Sequence, residues 1–220
     1  MLSREEIQAQ YPAELARFSE LLRSLADDEL ARPSRCEGWT VADVGAHVVG
    51  GLADITSFNL EGAGTPEWTN RQVEQRRGRT QHELADELDQ LIKTATDLLS
   101  QFDDEAWNSP APADSAPTIG LGVEAMFYDT FVHGDDVRSA IGRPSVTSPG
   151  LRAAVHHLAG LLGERGWGPA TLALDGVEEL PIGDGTGARI TGDPIQFVLV
   201  ATGRQPAATI GLDPSVNVYA

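Results

Sequence analysis

The chain has 220 residues and 23.5 kDa, with 41% hydrophobic and 22% charged side chains, an ordinary globular composition that excludes wholesale disorder. Sixteen basic residues against 33 acidic ones give a net charge of −17, which repels phosphate backbones and anionic lipid, so neither nucleic acid nor a membrane is an expected partner. Cys36 is the sole cysteine, so there is no internal disulfide and no cysteine-rich metal cage.

Hydrophobic spacing then predicts helices. Ser3 with Glu6 is a capping-box signature, followed by an apolar stripe through Ile7, Tyr11, Leu15, Phe18, Leu22 and Leu25. Thr40 with Asp43 repeats it ahead of Val44, Val48, Leu52 and Ile55, and about residues 61–70 read as a long loop. Thr80 with Glu83 opens a third helix through Leu84, Leu88, Leu91 and Leu98. A fourth follows Pro117, carries Val123, Phe127, Val137 and Ile141, and stops at Gly142. Four amphipathic helices make a bundle.

The stretch from Gly142 to Pro149 reads as a linker, and most of the excess negative charge lies before it. Beyond it the pattern changes. Ser148-Pro149 starts a helix through His156, His157 and Leu161, and β-like pieces follow at Thr171–Leu174, Ala188–Thr191 and Ala208–Ile210. Asp193-Pro194 caps a short helix ending at Gly203, and Gly183-Asp184-Gly185-Thr186-Gly187 reads as a hairpin turn rather than a phosphate loop, having no lysine. The chain is therefore mainly α: residues 1–142 a four-helix bundle, residues 148–220 a small α+β domain.

His47 borders the apolar stripe of the second helix. Asp129 and His133 are four apart, so both project from one face of the fourth. Two imidazoles and a carboxylate from two helices would make a three-ligand metal site, whereas the bland alternative is an i,i+4 charge pair and a histidine bonded to a backbone carbonyl. Asp135 and Asp136 either orient the His133 imidazole or pair with Arg138. His82 reads as solvated, and of His156 and His157 one is partly buried and one exposed. Arg71, Arg76, Arg77 and Arg79 form the dense basic cluster, read as a solvated helix end paired with Glu74 and Glu83. Cys36, with no histidine beside it in sequence, reads as a small packed residue.

The segment from Cys36 through Gly38-Trp39-Thr40 to His47 resembles the first motif of the DinB-like metalloenzyme superfamily, and more narrowly of its mycothiol-dependent maleylpyruvate isomerase family from actinobacteria. The segment Asp129-x-x-x-His133-Gly134-Asp135, closing at Ala140-Ile141-Gly142, is similar to the second motif, and Ile190–Pro194 with Gly203-Arg204 resembles the C-terminal domain. The arginine skew, with Lys93 the single lysine, agrees with a high-GC source.

That resemblance implies a four-helix bundle holding a divalent metal, usually zinc, with His47, Asp129 and His133 as ligands. Asp129 departs from the family pattern, which has Glu or His there. The resemblance also implies a low-molecular-weight thiol, mycothiol, as cosubstrate for isomerisation of, or S-transfer to, a small electrophile, with an anion-binding arginine such as Arg71 or Arg77. The alternative is a non-catalytic metal- or ligand-binding protein of the same fold. No apolar run approaches the ~20 residues of a membrane span, and the MLSREEIQAQ start has no leader pattern, so a cytoplasmic monomer or homodimer is the expectation.

Overall fold

Ser3, Thr40 and Thr80 each accept a hydrogen bond from the third amide of a helix, and Glu6, Asp43 and Glu83 reach back to the cap backbone. Each box satisfies two otherwise orphaned amides and contributes roughly 1 kcal/mol of helix stability. The computed structural model describes residues 1–220 and divides them into two compact units, Leu2–Val146 and Thr147–Ala220, with Met1 grouped with the second. The first unit holds α1 (Arg4–Arg23), α2 (Val41–Thr56), α3 (Pro66–Arg76), α4 (Gln81–Ser100), the single turn α5 (Asp104–Trp107) and α6 (Ile119–Ala140).

Helices α1, α4, α2 and α6 close a four-membered ring, in which α1 and α2 each pack on both α4 and α6, while α3 lies outside against α2. The stripe read from the sequence is the face that packs: Ile7, Leu15, Leu22, Leu52, Leu84, Leu88 and Phe127 are among the largest fully buried side chains. Fully burying each contributes about 1.5–3 kcal/mol.

Residues 61–70 are not all loop. Thr65 caps α3, with Pro66 in its first turn. The sequence hides this helix because its buried face is half polar: Trp68 and Val73 are buried, but so are Gln72 and Arg76. Gly50 of α2 gives α3 its seat. A Cβ on Gly50 would lie 2.5 Å from Gln72 Cβ, closer than packed carbons come, so α3 approaches only because the position is glycine.

The second unit contains α7 (Pro149–Glu164), β1 (Ala170–Leu174), β2 (Leu180–Ile182), β3 (Ala188–Gly192) and α8 (Pro194–Ala201). The strand order is β2-β1-β3, with β1 antiparallel to β2 and parallel to β3. Leu172 sits opposite Leu180 on one side and Ile190 on the other. On β1, Ala170, Leu172 and Leu174 are buried, and α7 packs on α8 and β2.

Two expectations are corrected here. Gly183–Gly187 joins β2 to β3, outer strands that do not pair, so it crosses the sheet instead of turning a hairpin. Its bend is held by Asp184, whose carboxylate accepts from the Thr186 amide and hydroxyl. Residues 208–210 form a 3₁₀ turn, Ala207–Ile210, not a strand: the stretch is short and has no partner to pair with. No helix is long and apolar enough to cross a membrane.

Candidate metal centre

The turn before α2 begins the site. Trp39 N–H bonds the Cys36 carbonyl at 3.0 Å, and Gly38 supplies the left-handed φ of +78° that such a turn favours. The Ser34 hydroxyl and amide both donate to the Trp39 carbonyl at 2.9 Å. This fixes Trp39 against His47, with ring centroids 5.2 Å apart, and sets Cys36 and Arg35 facing α6.

His47 of α2 and His133 of α6 meet edge to face, ring centroids 5.0 Å apart at 84°. Asp129, one turn before His133, lies between them: its Oδ2 is 3.4 Å from His47 Nε2 and its Oδ1 3.3 Å from His133 Nε2. One donor atom from each lies within 4.8 Å of the other two. His47 and His133 are nearly buried, and Asp129 is 30% exposed.

The far nitrogens are tied back. His47 Nδ1 is 2.9 Å from Gln72 Oε1, while Gln72 Nε2 donates to Asp54 Oδ2 at 2.9 Å. A carboxylate only accepts, so the Gln72 amide must present oxygen to His47, and Nδ1 must carry the proton. His133 Nδ1 is 3.0 Å from Oδ2 of the fully buried Asp136, which also accepts from the Cys36 thiol at 3.4 Å. Arg35 balances the charge: Nε lies 3.3 Å from Asp136 Oδ1, and a terminal nitrogen pairs with the Asp135 carboxylate. Both imidazoles thus turn Nε2 toward Asp129, the orientation that outer hydrogen bonds give metal-ligating histidines.

Electrostatics follow from the crowding. Burial opposes the charged form of His133, but the Asp129 charge and hydrogen bonds to Asp129, Asp136 and Cys36 outweigh it and hold the imidazole well above its ordinary pKa. Burial likewise pushes Asp129 up, and the charge and hydrogen bonds of His133 and then His47 drive it well below the carboxylate range. Two imidazole nitrogens and a carboxylate oxygen, close together and oriented from behind, suit a divalent ion of the zinc class.

Several sequence readings change at this point. Cys36 sits 3.7 Å from His133 Nδ1, 97 residues away in the chain, and with His133 and Asp136 makes a second cluster of donor type. Asp136 meets His133, and Asp135 meets Arg35. The arginine cluster is more ordered than a solvated helix end. Arg77 does pair with Glu74, but Arg76 is buried and shares Glu87, not Glu83, with Arg79. Arg71 lies 3.8 Å from Asp54, behind Gln72, and Arg77 is exposed. His82 is exposed, His156 is buried against Glu178, and His157 is half-buried rather than exposed. Gln72, Asp54 and Arg35 went unread because ordinary polar residues on separate elements leave no spacing signal.

Comparison with known proteins agrees with this architecture. Two solved structures share the fold: the mycothiol-dependent maleylpyruvate isomerase, at 17% identity and a TM-score of 0.64, and its histidine-to-alanine mutant, at 16% and 0.65. Each alignment covers 97% of this chain and 96% of the other. No curated protein sequence matches. The family described as the mycothiol maleylpyruvate isomerase N-terminal domain matches residues 11–138, more than half of the chain. By that match the chain belongs to the mycothiol-dependent maleylpyruvate isomerase family of the DinB-like superfamily.

Proposed function

We propose that the protein is a divalent-metal-dependent enzyme in which a low-molecular-weight thiol, mycothiol, attacks a small electrophile, leading to isomerisation or S-transfer. The observation that carries this reading is the convergence of His47 Nε2, His133 Nε2 and the Asp129 carboxylate, with both Nδ1 atoms engaged elsewhere. His47, Asp129 and His133 would hold the ion, most suitably zinc, which when bound supplies Lewis acidity at its open positions and keeps a thiol ionised near neutral pH.

The chain's own residues do the rest. Gln72 and Asp136 keep the Nε2 lone pairs aimed inward, so the rings are set before any ligand arrives. Trp39 packs at a tilt against His47 and covers that side of the ring. Arg35 offsets Asp135 and Asp136, leaving Asp129 as the carboxylate nearest the reacting position. That limits repulsion of an anionic nucleophile.

The test is metal content by mass spectrometry for wild type, His133→Ala and Asp129→Asn, followed by thiol-dependent consumption of an electrophile with mycothiol. Near-stoichiometric metal in wild type, lost in both variants together with the thiol reaction, is expected. A wild type that takes up no divalent metal after reconstitution would overturn the ligand assignment. Metal without thiol-dependent turnover would leave the non-catalytic binding role.

A further inference from the structure

The bundle unit contains a cavity of ≈ 290 Å³ between the later turns of α2 and α4 and the first turns of α6. Its walls are aliphatic and aromatic, among them Ile55, Trp68, Leu98, Phe102 and Val123, and no charged side chain lines it. In a chain of net charge −17 this is an unusual surface. Its polar wall groups are spent apart from the Tyr11 hydroxyl, which is buried without a hydrogen-bond partner. Thr56 donates to the Leu52 carbonyl, Ser115 to that of Pro112, and the Trp68 indole to that of Asn59. The walls therefore suit a ligand that asks for few hydrogen bonds.

The cavity shares a helix face with the histidines. Gly122, Met126, Asp129 and His133 follow at steps of four, three and four along α6, and His47, Gly51 and Ile55 at steps of four along α2. A Cβ on Gly51 would lie 3.2 Å from the Met126 methyl, so that side chain rests on α2 between the cavity and the donor cluster. Methionine is the apolar residue that most readily re-packs around a ligand.

Backbone strain marks the rim. Phe58, Ala113 and Asp114 are the non-glycine residues with positive φ, at 57°, 54° and 53°. Phe58 lines the cavity, and Ala113 and Asp114 lie between two further lining residues, Pro112 and Ser115. Holding a bulky residue in the left-handed region is unfavourable, and such outliers gather at ligand clamps. Phe58 is moreover 59% exposed, an aromatic ring held in water at the mouth.

We infer that this cavity is a binding pocket for a small, uncharged, apolar group, an aromatic ring system or a short hydrocarbon chain. An apolar cavity of about 150 Å³ accepts benzene, so this one has room for two fused rings. Resting on the function proposed above, the inference makes the electrophile one with an apolar body lodged in the pocket. The pocket itself requires only the walls described.

The experiment is a fluorescence titration with 1-aminonaphthalene, a neutral two-ring dye, on wild type, His133→Ala and two cavity-filling variants, Ala125→Phe and Val123→Trp. Saturable one-to-one binding is expected for wild type and, within about twofold, for His133→Ala, whose metal site is broken while the pocket is not. Each filled variant should bind at least tenfold more weakly while keeping the wild-type circular dichroism spectrum and metal content. Two substitutions on different residues guard against one failing to fold. No saturable binding to wild type, or wild-type affinity in a folded filled variant, overturns the pocket. Loss of thiol-dependent turnover with dye binding intact would count against the function proposed above and leave the pocket standing.

Discussion

His47 donates from Nδ1 to Gln72 Oε1 at 2.9 Å, across the contact between α2 and α3, and Gln72 spends its amide N–H on Asp54. Gln72 is fully buried, so it has no water to exchange with and its orientation is set by Asp54. Replacing it with leucine keeps the volume and removes the acceptor that fixes the His47 tautomer. Gln72→Leu should lower metal affinity by about 10–100-fold, the usual cost of losing an outer hydrogen bond, with a folded bundle remaining. Competition against a chelator of known affinity measures this. An unchanged affinity would mean that Gln72 does not control the ring.

The same helix contact gives a stability prediction. On propensity alone, glycine to alanine inside α2 should stabilise by ~1 kcal/mol. At Gly50 the new methyl would meet Gln72 Cβ at 2.5 Å and the Arg76 guanidinium at 2.9 Å, and Arg76 is itself held by Glu87. Overpacking of this kind costs about 1–3 kcal/mol, so Gly50→Ala should be destabilised on balance and should bind metal more weakly as α3 shifts. At Gly45 the nearest atom is the Leu22 Cδ2 methyl at 3.0 Å, a side-chain tip that can move, so Gly45→Ala should be milder. Urea unfolding of the pair decides it. A Gly50→Ala protein at least as stable as Gly45→Ala would contradict the packing argument.

What the sequence made legible and what it hid follow one physical division. Capping boxes and apolar stripes are local, so the four bundle helices could be read with their starts, while helical spacing put His47 only at the border of a stripe and Asp129 with His133 on one face, and the family resemblance was needed to join the three. Helix α3 escaped because its buried positions include Gln72 and Arg76, whose burial makes sense only once Asp54 and Glu87 are opposite them. Strand β2 is three residues with Pro181 at its centre, readable only through its pairing with β1. Cys36 looked isolated because its histidine lies 97 residues on, brought near by the packing of the turn before α2 against α6. The gap between β2 and β3 reads as a hairpin in any local pattern, since nothing in it records that β1 lies between them.

In the C-terminal unit, Glu178 is the acid with the firmest partners. Arg152 grips both its oxygens, and His156 Nε2 is 2.7 Å from Oε1. Hydrogen bonding to Arg152 chiefly, against partial burial and helped by His156, lowers its pKa from 4.5 to about 2. A folded-state pKa below the unfolded one means stability fully present above the unfolded value and lost as pH falls through the folded one. Glu178→Gln should therefore melt below wild type at neutral pH, and the gap should close between about pH 4.5 and 2. Because the carboxylate is 40% exposed, solvent screens the pair and the neutral-pH gap should be modest. Thermal melts across that window test the sign. A gap that stays constant down to pH 2 would show that the variant acts through packing rather than charge.

Phe58 sets stability against binding in one residue. Its φ of 57° suits glycine, and its ring is 59% exposed, so little burial offsets the strain. Left-handed backbone costs a non-glycine residue about 1–2 kcal/mol. Glycine removes that cost but returns part of it as unfolded-state entropy, roughly 0.5–1 kcal/mol. The net for Phe58→Gly is a gain between zero and about 1.5 kcal/mol, each kcal/mol raising Tm by roughly 2–4 °C for a protein of this size. If the strain holds an aromatic wall at the cavity mouth, the stabilised variant should also bind the neutral dye several-fold more weakly. Phe58→Leu, which keeps the strain and part of the apolar surface, should fall between wild type and glycine in affinity without the gain in Tm. A Phe58→Gly protein that melts lower would show that the ring's contacts outweigh the backbone term. One that melts higher and binds as tightly as wild type would remove Phe58 from the clamp.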